Sequence, residues 1–376
     1  MEPFVNQVYK PLGHLAFVLK PARTKKISIN VNLKRESNMF VALSVFINVL
    51  NQSVSLAFDI KRDDCTIING PQTFIMEPMN EGGEYAVPFT LLDEAVPYGE
   101  HIYELELHNK GEDIVRIDNY TFAAYPLGDD DYFSVRQQFT KYGHQPAFVV
   151  KGRSQKMIPL DVDDLEKAAV LLYFSALIHN NSGEQISFDI LKNNISIING
   201  RQDLLSWEGS YMINWFTADP CDGSSKYQFV IENKGENSIQ IISYSFIGLV
   251  SETVAFNNKY GVAPITVKLL PRSVATPFKL DGFPGVNIIT INFALGFTDT
   301  NANLYVNIIR DDQVSITNGP QPWELSFGQP LTLTFATNSV IIDPCAPDKT
   351  KFYIIEMINQ DSVGVLIPYY SLTNQH

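Results

Sequence analysis

The sequence predicts an all-β protein made of three tandem jelly-roll-like antiparallel β-sandwich domains, and three observations predict it. One segment is written three times, most clearly as FDIKRDDCTIINGPQ from Phe58, FDILKNNISIINGRQ from Phe188 and VNIIRDDQVSITNGPQ from Val306. Apolar residues recur at period two along most of each copy, the spacing of a half-buried strand. Turn residues follow every roughly 8–15 residues and helical periodicity is nearly absent, as in sandwiches. The repeat of about 120 residues far exceeds a solenoid unit of ~20–50 and has the length of a whole domain. The copies are placed at residues 1–127, 128–250 and 251–376. Three copies in one chain suggest a built-in pseudo-trimer.

In the first copy KKISINVNLK alternates apolar and polar residues, and VALSVFINVL and SVSLAFDIKR are the next two strands. CTIING, YAVPFTLL, HIYELELHN and VRIDNYTFAAY complete the series. The second copy repeats it as KMIPLDV, AAVLLYFSALIH, QISFDILK, ISIING, YMINWFTA, KYQFVIEN and SIQIISYSFIGL. The third runs VATPFKL, NIITINFALGF, LYVNIIR, VSITNG, LTLTFAT, FYIIEMIN and VGVLIPYYSL. AVLLYFSALI has a composition that also suits a helix, but its alternating counterparts make it a strand.

Asp63-Asp64, Asn193-Asn194 and Asp311-Asp312 occupy matching positions between apolar runs, where tight hairpins need residues that tolerate left-handed backbone. Asn69-Gly70, Asn199-Gly200 and Asn318-Gly319 close the following strand for the same reason. Tyr103, Tyr227 and Tyr353 each lie six residues before Asn109, Asn233 and Asn359, and alternate with apolar neighbours, which places them in a core or between domains. Tyr9, Tyr142 and Tyr260, with Gly13, Gly143 and Gly261 after them, mark the start of each copy. The linkers Gly128–Gly143 and Ser251–Gly261 are neither Gly/Ser-rich nor Pro-rich, so their ends read as the first strand of each copy and the copies as packed together.

A formal charge of −13 argues against a nucleic-acid binder, which needs a basic face for phosphates. MEPFVNQVYKPLG lacks the basic and apolar regions of a secretory signal, and no apolar run approaches the ~20 residues of a membrane span. The expectation is a soluble chain made without a signal peptide. Three cysteines are too few for a disulfide scaffold. Cys221 and Cys345 follow the equivalent pairs Asp219-Pro220 and Asp343-Pro344, while the first copy has Ala95 in the matching region. A shared loop remnant is the preferred reading over a thiol site, and Cys65 is expected to be packed.

No catalytic, cofactor-binding or metal-binding residues are assigned. The chain has no GxSxG, HExxH, Walker, GxGxxG or CxxC motif. His14 and His144 match between two copies but the third has Val262; His101 and His108 flank a strand, His179 is placed in a loop and His376 is terminal. None of this forms a zinc set. Asp129-Asp130-Asp131 and the Asp63/Asp64 and Asp311/Asp312 turns offer oxygen ligands for calcium, but Asn193-Asn194 shows the turn forming without charge, so solvated turns are preferred. Trp207, Trp215 and Trp323 could line a sugar platform; they share no position across the copies, and a buried role is preferred.

The run FDIKRDDCTIINGPQTF, followed by PFTLLDEAVPYGEHIYELELHN, resembles small all-β proteins of the spore surface of Bacillus and relatives, the exosporium and spore-appendage proteins with jelly-roll or C1q/TNF-like folds. The match is best over Phe58–Asn109; the second copy departs at Lys192-Asn193-Asn194, and the second and third lack the Gly-Glu-His of Gly99–His101. Appendage subunits carry a cysteine-bearing N-terminal arm, which Met1–Pro11 lacks, and no collagen-like Gly-X-Y stalk is present. The resemblance implies a non-catalytic structural protein of the exosporium or appendage, made in the mother cell, that anchors or caps through protein–protein contacts. Its partners would be other spore-surface proteins, a trimeric partner or itself. The alternative is a lectin-like carbohydrate-binding sandwich. Strand edges are available for partners by β-augmentation.

Overall fold

The computed structural model describes residues 4–10, 14–49, 54–76, 83–128, 132–141, 143–162, 169–204, 208–220, 223, 225–251, 254–259, 267–297, 301–302, 304–322, 325–326, 335–360, 362 and 364–375. The first copy contains β1 (Phe4–Val8), β2 (Phe17–Leu19), β3 (Thr24–Leu33), β4 (Ser37–Val49), β5 (Val54–Arg62), β6 (Cys65–Thr66), β7 (Gln72–Met76), β8 (Gly83–Val96), β9 (Gly99–Asn109) and β10 (Val115–Pro126). The second contains β11 (Tyr132–Gln138), β12 (Phe148–Val150), β13 (Ser154–Val162), β14 (Ala169–Asn180), β15 (Ile186–Lys192), β16 (Ile195–Ser196), β17 (Gln202–Leu204), β18 (Gly209–Pro220), β19 (Ser225–Asn233) and β20 (Ile239–Ser251). The third contains β21 (Val254–Lys259), β22 (Val267–Leu269), β23 (Ser273–Asp281), β24 (Gly285–Phe297), β25 (Asn301–Ala302), β26 (Leu304–Arg310), β27 (Gln321–Pro322), β28 (Leu325–Ser326), β29 (Phe335–Ala346), β30 (Phe352–Asn359) and β31 (Val365–Gln375).

Each copy folds into two antiparallel sheets. In the first, β1-β10-β4-β8 form one sheet with β2 also on β10, and β3-β9-β5-β6 form the other with β7 also on β5. The second copy repeats this as β11-β20-β14-β18 with β12, and β13-β19-β15-β16 with β17. The third gives β21-β31-β24-β29 with β22, and β23-β30-β26-β27, plus the short pair β25-β28. From β2 to β5 and from β7 to β10 the chain crosses from one sheet to the other at every step, which is the winding of a jelly roll. The strands Phe17–Leu19 and Gln72–Met76 escaped the sequence pattern because each is short and lacks a clear alternation.

The two sheets of a copy bury differently. In β3 the pattern is strictly alternating, with Ile27, Ile29, Val31 and Leu33 in the core and Ser28, Asn30 and Asn32 outside. In β4 both faces are covered. Met39, Val41, Leu43, Val45 and Ile47 enter the copy's own core, while Phe40 and Ala42 enter a cluster shared with the other copies and Phe46 enters the third copy's core. The second copy does the same: Val170, Leu172, Phe174, Ala176 and Ile178 face inward to its own core, Leu171 and Tyr173 join the shared cluster, and Leu177 enters the first copy's core. This two-sided burial explains the continuous apolar run that made AVLLYFSALI look helical.

Register gives the equivalences between copies. Met39, Val170 and Asn287 stand opposite Asp93, Asp219 and Asp343, so Ser44, Ser175 and Asn292 share one place on their strands. Val8, Gln138 and Lys259 pair with Tyr120, Tyr244 and Tyr370, which makes Phe139, not Tyr142, the counterpart of Tyr9. Tyr142 and Tyr260 lie outside the described residues. The Asn-Gly turns form as predicted, with positive φ at both positions: 59° and 94° at Asn69-Gly70, 60° and 95° at Asn199-Gly200, 55° and 97° at Asn318-Gly319. At the preceding hairpin Asp63-Asp64 and Asn193-Asn194 are both left-handed, but in the third copy Gln313 is an added residue and takes the left-handed place at φ 67°.

Candidate assembly interface

The sheets that are buried on both faces meet at the centre of the molecule, and the same contacts recur between successive copies. The Thr90 N–H donates to Ser175 Oγ at 3.1 Å, joining the first copy to the second, while Asn214 Nδ2 of the second copy itself donates to the same oxygen at 2.8 Å. At the equivalent place Asn292 Nδ2 donates to the Phe216 carbonyl at 3.0 Å, joining the second to the third. Gln137 brackets a backbone unit of the preceding copy, donating to the Leu92 carbonyl at 2.6 Å and accepting from the Leu92 N–H at 3.2 Å. Gln7, its counterpart, brackets Ile342 of the third copy in the same way at 2.6 and 3.3 Å. Asn69 donates to the Phe139 carbonyl at 3.3 Å, and Asn318 to the Tyr9 carbonyl at 3.1 Å. Ser243 Oγ donates to Gln72 Oε1 at 2.7 Å, and Asn119 Nδ2 donates to Gln321 Oε1. The first copy therefore meets the third as the second meets the first, and the three copies close head to tail around a pseudo-threefold axis.

An apolar cluster seals this ring. Phe40, Tyr125, Leu171, Tyr173, Phe216, Ile288 and Val340 come from all three copies. The Phe40 ring lies 5.0 Å from Tyr125 and 4.9 Å from Tyr173, and Tyr173 lies 4.6 Å from Phe216. Burial pushes the Tyr173 phenol well above its ordinary range, with a hydrogen bond to Thr290 acting the other way.

The three repeated tyrosines belong to a polar triad at one end of each sandwich. Tyr103 donates to Asp93 at 2.6 Å, Tyr227 to Asp219 at 2.7 Å and Tyr353 to Asp343 at 2.7 Å. A cation closes each triad: Arg62 to Asp93 at 2.7 Å, Lys192 to Asp219 at 2.7 Å, and Arg310 to Asp343 at 3.0 Å. Burial first, then the neighbouring carboxylate, pushes the Tyr103 and Tyr353 phenols far up, so both stay protonated donors. The triad ties the two sheets of a sandwich together, because the aspartate stands on one sheet and its two partners on the other. The tyrosines were visible in the sequence. Asp219 and Asp343 were visible as equivalent Asp-Pro pairs, but not as partners of the tyrosines, because the separation is 10, 8 and 10 residues in the three copies.

The other polar repeats are also structural. Thr66, Ser196 and Ser315 donate to Asp59, Asp189 and Asn307 at 2.7, 2.7 and 2.6 Å, and each accepts the N–H of the turn glycine Gly70, Gly200 or Gly319. Asp63 accepts the Ile102 N–H at 2.9 Å and holds His101 at 2.7 Å, Asn193 accepts the Lys226 N–H at 3.1 Å, and Asp311 accepts the Lys351 N–H at 2.8 Å. Asp312 pairs with Arg310 at 2.9 Å. These turn oxygens are thus used by protein donors. Among the described residues no group of three or more His, Cys, Asp or Glu side chains could hold a metal ion.

Several sequence expectations move. Cys65 is exposed, not packed, because its hairpin projects from the end of the sandwich. His179 is in β14, bonded to Ser210 at 2.7 Å, not in a loop. His14 and His144 are exposed, and His108 meets Thr24 at 2.8 Å. Trp215 is buried, 4.2 Å from the Phe188 ring. Trp207, Trp323, Cys221, Asp129-Asp130-Asp131, Gly13, Gly261, Val262 and His376 lie outside the described residues, as does the side chain of Cys345.

No family model and no curated protein matches the chain. Solved structures that are similar include one from an archaeal virus, described by its triple jelly roll fold and turret assembly, at 12% identity and a TM-score of 0.24 over 100% of this chain and 91% of that one. Another is the atomic structure of Sulfolobus Turreted Icosahedral Virus, at 10% identity and 0.23 over 100% and 91%. A tandem CBM22 domain of Paenibacillus barcinonensis Xyn10C reaches 12% and 0.19 over 65% and 91%. Of these three, the two that span the whole chain are virus proteins, and none is described as a spore-surface protein. At these scores the likenesses carry no argument about what this chain does.

Proposed function

We propose that this chain is a non-catalytic structural protein, a ready-made pseudo-trimer that serves assembly on a biological surface. The observation that carries the reading is the use of the inner sheets. Each copy spends one whole sheet face on its neighbours, closing a ring that leaves the outer sheets and the two sets of turns for contacts elsewhere. The repeated polar groups support it, since the triads and turn braces brace the sandwiches. A rigid threefold-like body of this kind suits anchoring or capping, where a partner meets several equivalent surfaces at once.

The sequence resemblance suggests the bacterial spore surface as the place, in the exosporium or at an appendage. The test is to raise antibodies against the purified chain and locate it by immunogold labelling on intact spores and on the particles of any virus carried by the same cells. Labelling confined to the spore exterior supports the reading in full. Labelling of virus particles keeps the structural role and replaces the location. Diffuse labelling with turnover of a small-molecule library overturns the structural role.

A further inference from the structure

The outer sheet of each copy ends on a strand that pairs on one side only: β3, β13 or β23. Asn6 Nδ2 on β1 donates to the Ser28 carbonyl at 3.2 Å, so that carbonyl points away from β9. Backbone groups alternate in direction along an antiparallel strand, so Lys26, Asn30 and Asn32 turn theirs to the same free side. Among the described residues none of these four N–H groups has a partner there. A row of unpaired edge groups is the receiving surface for an added strand.

The three edges are not alike. Register with Tyr103 and Tyr227 makes Pro159 the counterpart of Ser28, so the second copy lacks the edge N–H at that place. In the third copy Pro277 and a bulge between Ala275 and Phe278 interrupt the strand. Proline and bulges both close a free edge to pairing. β3 has neither, and its register is unbroken from Thr24 to Leu33. Beside it runs an open groove of about 540 Å³, lined by Phe4, Asn6, Gln7, Ser28 and Asn30 among others.

The charge around β3 selects the occupant. The stretch from Phe4 to Arg35 supplies both walls of the groove, and it has seven Lys and Arg and no Asp or Glu in a chain of charge −13. Lys20, Arg23, Lys25 and Lys34 are exposed in and beside β3. Acids bound this stretch at its two ends, Glu36 beyond Arg35, and Glu112 and Asp113 on the turn beside Arg23. Glu100, Glu104 and Glu106 stand one strand behind, on β9. Lys26 pairs with Glu104 and Glu106 at 3.1 and 3.0 Å, and Lys61 with Glu106 at 2.9 Å. A strand added to β3 lies ~5 Å from it and ~10 Å from β9, about one screening length, so the nearest charges it meets are basic. The same charges repel another β3 edge, which disfavours two copies pairing through this strand.

We propose that β3 receives an extended acidic segment of a partner protein as an added strand, whose backbone replaces the Asn6 amide at the Ser28 carbonyl. The inference names a partner class for the assembly role proposed above and rests on it. Main-chain bonds to Lys26, Ser28, Asn30 and Asn32 hold the segment, and its carboxylates meet the cations around β3.

The probe is a short end-blocked peptide of alternating Glu and Val, with a Lys and Val peptide of equal length as the control. Fluorescence anisotropy on the intact chain should show the acidic peptide binding, more weakly as salt is raised, and the basic one not binding. Hydrogen exchange read by mass spectrometry should slow across residues 24–33 and stay unchanged in β13 and β23. Ser28→Pro gives β3 the residue that the second copy already carries there, at the loss of a 3.3 Å hydrogen bond to Glu104. It should weaken binding by about tenfold or more, with the melting temperature close to the parent's. The double variant Lys25→Glu, Lys34→Glu keeps every edge N–H and should also weaken the acidic peptide, which keeps the test open if Ser28→Pro misfolds. Absence of binding up to about 1 mM, slowed exchange in another strand, equal binding of the basic peptide, or a Ser28→Pro chain that binds like the parent would each overturn the proposal. None of these results alters the surface-labelling experiment, so loss of the edge site and loss of the structural role are separable.

Discussion

The inner and outer sheets of each sandwich share one antiparallel architecture, yet they follow different rules. The outer sheet strand β3 faces water on one side and shows every second residue apolar. The inner sheet strand β4 faces its own core on one side and two sister copies on the other, and from Met39 to Ile47 it is apolar except for the buried Ser44. The difference shows that alternation reports the number of buried faces and not the strand itself. A run that loses its alternation in the midst of a β repeat therefore points to an inter-domain surface.

The largest effect should come from the shared cluster. Phe40→Ala removes a fully buried ring from the point where three copies meet and should cost about 3–5 kcal/mol, measured by urea unfolding. Its outer-sheet counterpart is Lys26→Ala, which removes ion pairs to Glu104 and Glu106 at 3.1 and 3.0 Å from an exposed lysine and should leave the urea midpoint nearly unchanged. Equal costs would erase the distinction between the two sheets.

Next come the triads that bind inner sheet to outer. Tyr103→Phe, Tyr227→Phe and Tyr353→Phe each remove one hydrogen bond to a carboxylate and should each cost about 1.5–3 kcal/mol. The three values should agree closely if the triad does the same job in every copy. A near-zero cost in one copy would mark that triad as dispensable.

A smaller, pH-dependent effect sharpens the comparison within the outer sheet. Burial holds the Asp59 and Asp189 carboxyls above their ordinary value, whereas the third copy has Asn307 at the same place. A folded-state pKa above the unfolded one means the native state binds the proton more tightly. The group then favours folding at low pH, and this contribution is lost as pH rises through the folded value. Asp59→Asn should raise the melting temperature at pH 7 and leave a smaller gain on acidification towards about pH 4. An unchanged or lower melting temperature at pH 7 would contradict this.

The smallest effect belongs to His101. Its hydrogen bond to Asp63 raises its pKa, so its contribution is complete below about pH 6.5 and fades as pH rises through the folded value. His101→Gln should flatten that part of the stability profile by less than about 1 kcal/mol. A profile unaltered between pH 6 and pH 8 would remove His101 from the account.

The jelly-roll class was legible in the sequence because turns and outer strands are local. Asn69-Gly70 and its two counterparts announce their backbone directly, and Ile27 to Leu33 announce their buried face. The ring was legible only as a repeat count. Its closing contacts are made by Gln7, Gln137, Asn69 and Asn318, polar residues whose partners lie in another copy and are backbone groups that no side-chain pattern records. Cys65 was misplaced for a related reason. Its register counterparts Ile195 and Val314 are exposed as well, on projecting hairpins whose exposure no period in the sequence records.

The central claim is that the three copies close one ring, and small-angle X-ray scattering of the purified chain tests it most directly. The fraction measured should be dilute and monodisperse. A compact body of this length has a radius of gyration of about 21 Å, and the closed ring should fall close to it. A radius of roughly 30 Å with an elongated distance distribution, as three copies in a row would give, would contradict it.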